Sequence, residues 1–343
     1  METAFIIEKS VFIVVIFAFT MVMAMYSTWA ERKVAAYLQD RVGPNRAGWG
    51  GLLQPLADGM KLFAKEEFEP NTPNKFLFFV GPAIAMSTAL MTSAVIPWGD
   101  KIHIFGRDVM LQATDIDVSL LYIFGVVSIG VYGIMIGGWA SNNKFSLMGA
   151  VRAASQMVSY EVAMGLSMIA LLMMTGTLSL REISAQQTGM NWNVFYQPLS
   201  FLIFLICAFA ETNRTPFDLA ECESELIGGY HTEYSSMKMG FYLFAEYANM
   251  FISATIISVL FFGGYNYPGM AWATEHLGMN MANIIGIGAL FVKLCFFIFF
   301  FMWIRWTIPR FRYDQLMHLG WKILIPLSIV NIIITGICIL AFK

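Results

Sequence analysis

Stretches of about 20 apolar residues recur along this chain, and that length is what a helix needs to cross a hydrocarbon core about 30 Å thick. Eight such runs can be placed, at 10–30, 76–98, 118–139, 156–178, 198–210, 240–262, 283–304 and 322–342. A backbone inside lipid must satisfy its own polar groups, which leaves helices or closed barrels. Continuous apolar runs favour the helix. The expected fold is therefore all-α: a polytopic integral membrane bundle in a single domain, 1–343, with about eight transmembrane helices plus an amphipathic cytoplasmic helix. Composition agrees, since 58% of residues are hydrophobic and only 13% charged, beyond what soluble domains carry. The run at 198–210 is short and must start earlier or tilt little. The first run is too long for a signal peptide's apolar region, and its basic cluster follows it.

Lysine and arginine set the orientation. Arg32, Lys33, Arg41, Arg46, Lys61, Lys65, Lys75, Lys144, Arg152, Arg214, Lys238, Arg305, Arg310 and Arg312 follow odd-numbered runs, whereas the alternate loops hold only Lys101, Arg107 and Arg181. Positive charge marks the cytoplasmic side, so both termini are expected outside. Loops 31–75 and 211–239 become the cytoplasmic segments of interest. In the first, ERKVAAYLQDRV continues the opening helix until Gly43-Pro44. Leu52, Leu53, Leu56, Met60 and Phe63 then recur at helical spacing, with Gln54, Asp58, Lys61 and Lys65 opposite. That predicts an interfacial amphipathic helix.

The second loop and the helix after it are acidic. Glu211, Asp218, Glu221, Glu223, Glu225, Glu233 and Glu246 make up seven of the chain's 23 acidic residues. Local grammar predicts a helix with Thr215 as N-cap, Pro216 at its first position and Asp218 as a capping acid. Asp218, Glu221 and Glu225 would share one face, Glu223 would turn away, and Gly228-Gly229 would end it. The plain readings are a solvated loop and ordinary caps. Glu246 resists them, lying inside the sixth run; Glu161 lies near the end of the fourth and Lys293 near the middle of the seventh. Ionisable groups at such depth are functional candidates by default, although Lys293 also suits a structural ion pair. The glutamates at one membrane face suggest a hydrated proton path whose carboxylates titrate together.

Motifs for electron carriers are missing. The four cysteines form no C-x-x-C pair, no glycine-rich nucleotide fingerprint occurs, and none of the four histidines falls inside a predicted span. No metal site is predicted. An apolar slot near the cytoplasmic loops, lined by residues such as Trp49, Phe63, Phe68, Phe217, Phe241, Tyr242 and Phe244, would suit a lipid-soluble acceptor.

Four segments carry a resemblance: ERKVAAYLQDRVGPNRAGWGGLLQPLADGMKLFAKE, GVYGIMIGGWASNNKFSLMGAVRAASQMVSYEV, ETNRTPFDLAECESELIGGYHTEYSSMKMGFYLFAEYANM and WIRWTIPRFRYDQLMHLGWKILIPLS. In this order they resemble the H-subunit family of bacterial NADH–quinone oxidoreductase (respiratory complex I), to which mitochondrial subunit 1 also belongs. The match runs from about Trp29 to the C-terminus; the outer loops depart, and Ala220 and Cys222 replace the usual Pro and Ala. The resemblance implies a membrane subunit that helps form a quinone chamber and couples quinone reduction to proton movement through an acidic funnel. Carried over, that funnel is Glu211, Asp218, Glu221, Glu223, Glu225, Glu233 and Glu246, with Glu161 leading onward. Arg32, Arg41, Gln54, Trp49, Phe63, Phe217 and Phe241 match the chamber or its entrance. Quinone (ubiquinone or menaquinone) would be the substrate, with NADH, FMN and iron–sulfur clusters held only by partner subunits. Those partners would be the peripheral-arm quinone-site subunits and the small and antiporter-like membrane subunits, with no nucleic acid involved. The expected location is the bacterial inner membrane with periplasmic termini, or the mitochondrial inner membrane in an organelle. Anchors of membrane-bound hydrogenases and of ferredoxin–quinone oxidoreductases are the nearest alternatives. A stand-alone ion-coupled transporter is the remote one, since no inverted repeat or broken helix pair is evident.

Overall fold

Helix ends show how the sequence shapes the bundle. In the computed structural model, which describes residues 2–70, 74–104, 107–220 and 223–341, α1 spans Glu2–Leu38. It stops before Gly43-Pro44, because Asp40 adopts a left-handed conformation (φ 50°). The amide of Arg41 returns to the Ala36 carbonyl (2.9 Å) and that of Asp40 to Tyr37 (3.4 Å), a Schellman closure. A short helix, α2 (Gln54–Ala64), is followed by α3 (Lys75–Ser93), a hairpin of β1 (Lys101–Ile104) and β2 (Arg107–Met110), α4 (Ser119–Ala140) and α5 (Lys144–Thr175). Next come α6 (Leu180–Gln186), α7 (Asn193–Tyr196), α8 (Pro198–Glu211), α9 (Glu223–Leu226), α10 (Ser236–Phe261), α11 (Met270–Leu277) and α12 (Met279–Thr307). The chain closes with α13 (Tyr313–His318), a π-helical stretch Leu319–Leu324, and α14 (Ile325–Ala341). This is an all-α polytopic membrane architecture.

Seven helices among the described residues are long and apolar enough to cross a membrane. The fifth apolar run forms only α8, 14 residues long, or roughly 21 Å at 1.5 Å per residue. Four residues of α7 precede it, and the break falls at Gln197. That buried amide donates to Thr335 Oγ1 (2.9 Å) and accepts from Asn331 Nδ2 (3.3 Å). Polar side chains of α14 thus attend the place where the run is interrupted, as interrupted helices in lipid require.

The C-terminal end of α10 is closed in the same way. Gln187 donates to the Val259 and Leu260 carbonyls, at 3.0 and 3.2 Å, and Asn193 also donates to Leu260 (2.8 Å). Lys293, from the middle of α12, donates to the carbonyls of Phe262 (2.7 Å), Gly264 (2.8 Å) and Asn266 (2.6 Å). Phe262 is the C-cap of α10, and Gly264 and Asn266 lie in the turn just beyond it; a cation is the favoured group near a helix C-terminus. Lys293 therefore serves the end of α10 by binding carbonyls, where the sequence also suited it to a carboxylate.

Glycines let the other face close. Pro82 within α3 lacks an N–H, so the Phe78 carbonyl loses its helical donor; the Tyr234 hydroxyl donates to it instead (3.1 Å). Tyr234 stacks on Phe78, centroids 4.1 Å apart, and burial pushes its phenol up to about 12, keeping it neutral and able to donate. A Cβ on Gly81 would meet Gly137 Cα at 2.9 Å and the Tyr242 hydroxyl at 2.6 Å. A Cβ on Gly137 would lie within the contact radius of that same hydroxyl. We expect Gly137→Ala to cost about 1–3 kcal/mol through overpacking. Tyr242→Phe, which removes the oxygen, should recover part of that loss in the double variant. Thermal melting of all three proteins in detergent tests this, and strictly additive effects would refute it.

Candidate functional site

The acidic residues are distributed in three dimensions rather than gathered. Glu211 ends α8 and Glu246 sits on α10; both line one internal cavity enclosing about 950 Å³, its mouth included. Thr88, Asn213, Tyr230, Tyr242 and Asn249 give that cavity polar walls, while Leu120, Ile123, Phe124 and Ile256 keep the rest apolar. Glu211 Oε1 is enclosed without a hydrogen-bond partner among the described residues. Such an atom asks for a proton, a water or a cation. Glu161, on α5, accepts from Ser128 and lies within electrostatic reach of Glu211. Gln156, one turn before Glu161 and fully buried, donates to the Ala210 carbonyl (2.7 Å) and Asn213 Oδ1 (3.2 Å), fixing the end of α8.

The remaining described acids do not line this cavity. Asp218 is buried and pairs with Arg310 (2.9 Å); Glu225 is exposed and pairs with Arg152 (2.6 Å). Glu233 accepts from Asn143 Nδ2 at 2.6 Å. Glu221 lies outside the described residues, as does the Glu223 side chain. The helix expected from Thr215 does not form: residues 212–220 are turns and irregular chain, and helix begins only with α9. The reason is burial. Phe217, Asp218, Leu219 and Ala220 are all buried in succession, so no solvent face remains for a helical stripe. Phe217 packs on Tyr160 and Phe311, and the Phe311 amide donates to the Pro216 carbonyl at 3.1 Å. Asp218 is an ion-pair partner, not a capping acid.

A second cavity, of about 780 Å³, opens between α1, α2 and α10, lined among others by Arg32, Asp58, Lys61, Phe244 and Tyr247. Arg32 binds Asp58 (2.6 Å), and Gln54 donates to the same carboxylate (3.3 Å). Here α2 turns its charged face inward and leaves Leu56, Met60 and Phe63 exposed. Of the aromatic slot expected from sequence, Phe244 lines this cavity and Tyr242 the acidic one. Trp49 (92% exposed) and Phe63 (72% exposed) point outward, Phe68 and Phe241 are also exposed, Arg41 is bound locally to Gln39, and Phe217 lies in the core.

Between the two cavities sits an ion cluster that sequence reasoning did not single out. Glu31 on α1 is buried and binds both Arg214 and Arg305, the latter at 2.6 Å. Arg214 is 2% exposed, and its guanidinium lies 4.1 Å above the Tyr247 ring. Burial works against its charge, but the adjacent Glu31 more than offsets that and holds the guanidinium above its ordinary pKa. Glu246 also acts on it electrostatically. Glu31 and Arg214 lie 183 positions apart, so no local pattern reveals the pair; the only hint is an ionisable residue directly after an apolar run.

An all-α membrane bundle with carboxylates on a buried cavity, beside a second cavity, defines a polytopic membrane protein with ionisable groups set away from bulk water. The comparisons agree with that class. A family profile described as NADH dehydrogenase matches residues 11–336. The chain is 86% identical, over its full length and that of the relative, to the NADH-quinone oxidoreductase H subunit of Flavobacterium psychrophilum. It is 84% identical to the corresponding H subunit of Flavobacterium johnsoniae, covering 99% of this chain and 97% of that one. It is 65% identical to an H subunit of Cytophaga hutchinsonii, with 98% of each chain covered. The chain belongs to the NADH dehydrogenase family.

We expect Arg214→Met to cost about 3–5 kcal/mol, because it strands Glu31 beside a single, half-exposed arginine. Arg214→Lys should recover only part of this, since the flat stack on Tyr247 is lost. The double variant Glu31→Gln with Arg214→Met should melt higher than Arg214→Met alone. If it melts lower by the sum of the two single effects, the pair is not coupled.

Proposed function

We propose that this chain is a membrane subunit of a proton-translocating NADH–quinone oxidoreductase, without a redox centre of its own. In this reading it lies in the bacterial inner membrane with both termini periplasmic, its loops 31–75 and 211–239 on the cytoplasmic side. Peripheral-arm subunits bring NADH, FMN and iron–sulfur clusters to that face, and small and antiporter-like membrane subunits continue the proton path. The identities to relatives that carry the H-subunit name support the assignment. So does the preponderance of lysine and arginine on one set of loops. The observation that carries the coupling role is the cavity shared by Glu211 and Glu246.

Quinone is the substrate, and its chamber would include the cavity between α1, α2 and α10, where Arg32 and Lys61 supply positive charge and Phe244 and Tyr247 apolar wall. Reduction of quinone there takes up protons and changes the charge at that wall. In an effective dielectric of about 20, a unit charge about 10 Å away is worth roughly 1–2 kcal/mol, enough to change a buried carboxylate's protonation tenfold. The link is adjacency on α10: Tyr247 faces the quinone cavity under Arg214, while its neighbour Glu246 faces the acidic cavity. Proton occupancy would then pass among Glu246, Glu211 and Glu161 through water, with Asp218, Glu225 and Glu233 beyond that cavity.

Glu211→Gln and Glu246→Gln keep the side-chain shape and remove the titrating proton. Each should lower quinone-linked NADH oxidation and proton pumping by roughly tenfold or more, with the assembled complex still present in membranes. If both assemble and pump like the parent, the coupling role is lost.

A further inference from the structure

Lys238 is a buried lysine that the coupling scheme leaves unused. It is the third residue of α10 and only 5% exposed, and lysine is rarely so buried unless paired. Its ammonium meets Glu67 at 2.6 Å and Glu69 at 3.0 Å, and stands 3.5 Å above the Phe79 ring and 5.1 Å from that of Phe78. Both glutamates belong to the chain leaving α2, and both phenylalanines to α3. Glu69 also meets Lys75, at the start of α3, at 3.2 Å; the hydrogen bond from Lys238, then that from Lys75, hold its carboxyl below the ordinary range. Two further bonds lie alongside. The Phe68 amide donates to Ser235 Oγ, and Ser236 Oγ donates to the Leu62 carbonyl, each at 2.9 Å.

The other attachments of α2 are weaker. Its apolar face is exposed, so little burial holds it. The chain that leads into it turns through Gly48, Gly50 and Gly51 at positive φ, and its bond to α1, from Trp29 Nε1 to the Gly50 carbonyl, is long and exposed (3.3 Å). Its ion pair from Asp58 to Arg32 involves a half-exposed arginine, and such pairs contribute little. The Lys238 ammonium is itself buried and flanked by aromatic faces, so its bonds are less screened by salt even though Glu67 and Glu69 are partly exposed.

We propose that Lys238 is a positioning residue, strapping the α2–α3 connection to the start of α10 through Glu67 and Glu69 and so fixing α2 as one wall of the cavity between α1, α2 and α10. The strap itself follows from these contacts; its consequence for quinone rests on the function proposed above. With the strap intact, Asp58 and Lys61 face Arg32 and Tyr247 across a cavity of set width. With it undone, α2 is released from α10 and the cavity opens to water.

A thiol introduced by Gly59→Cys reports this directly, because a Cβ at that cavity-lining position meets nothing within 4 Å. Labelling with a membrane-impermeant maleimide is followed in inside-out vesicles carrying the whole complex, with the parent lacking Gly59→Cys as background. Lys238→Met keeps the stem and removes the charge; Glu67→Gln with Glu69→Gln removes the carboxylates and leaves the lysine. Both should speed labelling roughly fivefold or more, while Lys238→Arg stays near the parent rate. Should Lys238→Met fail to accumulate, the glutamate pair still carries the test. Parental labelling rates in these variants overturn the strap. The KM for quinone, measured on the same membranes, separates the two readings. A shift in KM larger than that in kcat supports both. Faster labelling with KM unmoved keeps the strap and removes quinone from this cavity.

Discussion

The buried contact of Glu31 with Arg214 and Arg305 joins the parts that matter most. Glu31 comes from the first long helix, Arg305 from α12 and Arg214 from the loop after α8. Removing three charges from water is costly, and mutual attraction repays it only with good geometry and further partners. Those partners are present: Tyr247 lies beneath the guanidinium, and the charge of Glu246 reaches it from the next position on α10. One negative and two positive groups leave a positive excess, so the charge on Glu246 belongs to the balance of the cluster. In the function proposed above, this cluster is what would carry a change of charge from the Tyr247 side to the Glu246 side.

Much of the fold was legible because lipid is an unforgiving solvent. Apolar runs of about 20 residues can be little else than helices there, and the described residues contain seven of that kind. What the pattern could not give was the interruption at Gln197, which depends on Asn331 and Thr335, more than 130 positions away in sequence. The grammar of Thr215, Pro216 and Asp218 misled for a related reason. Capping preferences describe an isolated turn, and here the burial of four successive residues, with Arg310 beside Asp218, outweighed a preference of about 1 kcal/mol.

Charge was harder to read than hydropathy. Sequence shows that Glu211 and Glu246 are deep; it does not show that they share a cavity from which Asp218, Glu225 and Glu233 are separated by arginine and asparagine partners. Lys293 is the instructive case. Its depth in α12 suggested a functional cation or a carboxylate partner, yet its ammonium closes three carbonyls at the end of α10. A charge in the membrane can serve the backbone as well as a substrate.

That service bears on how α10 can carry both roles assigned to it. Its C-terminal end is held by Gln187, Asn193 and Lys293, and its N-terminal end by Ser235, Ser236 and Lys238. Between them its side chains face two cavities at consecutive positions, Glu246 into one and Tyr247 into the other. A helix free to slide or rotate would let those positions exchange cavities, since one residue is about 100° of turn. Clamping both termini removes that freedom while leaving protons, waters and side-chain rotamers to move. Under the proposed function, coupling through α10 would then be electrostatic across a fixed wall, and the polar residues at its ends would matter for the same reason as the acids at its centre.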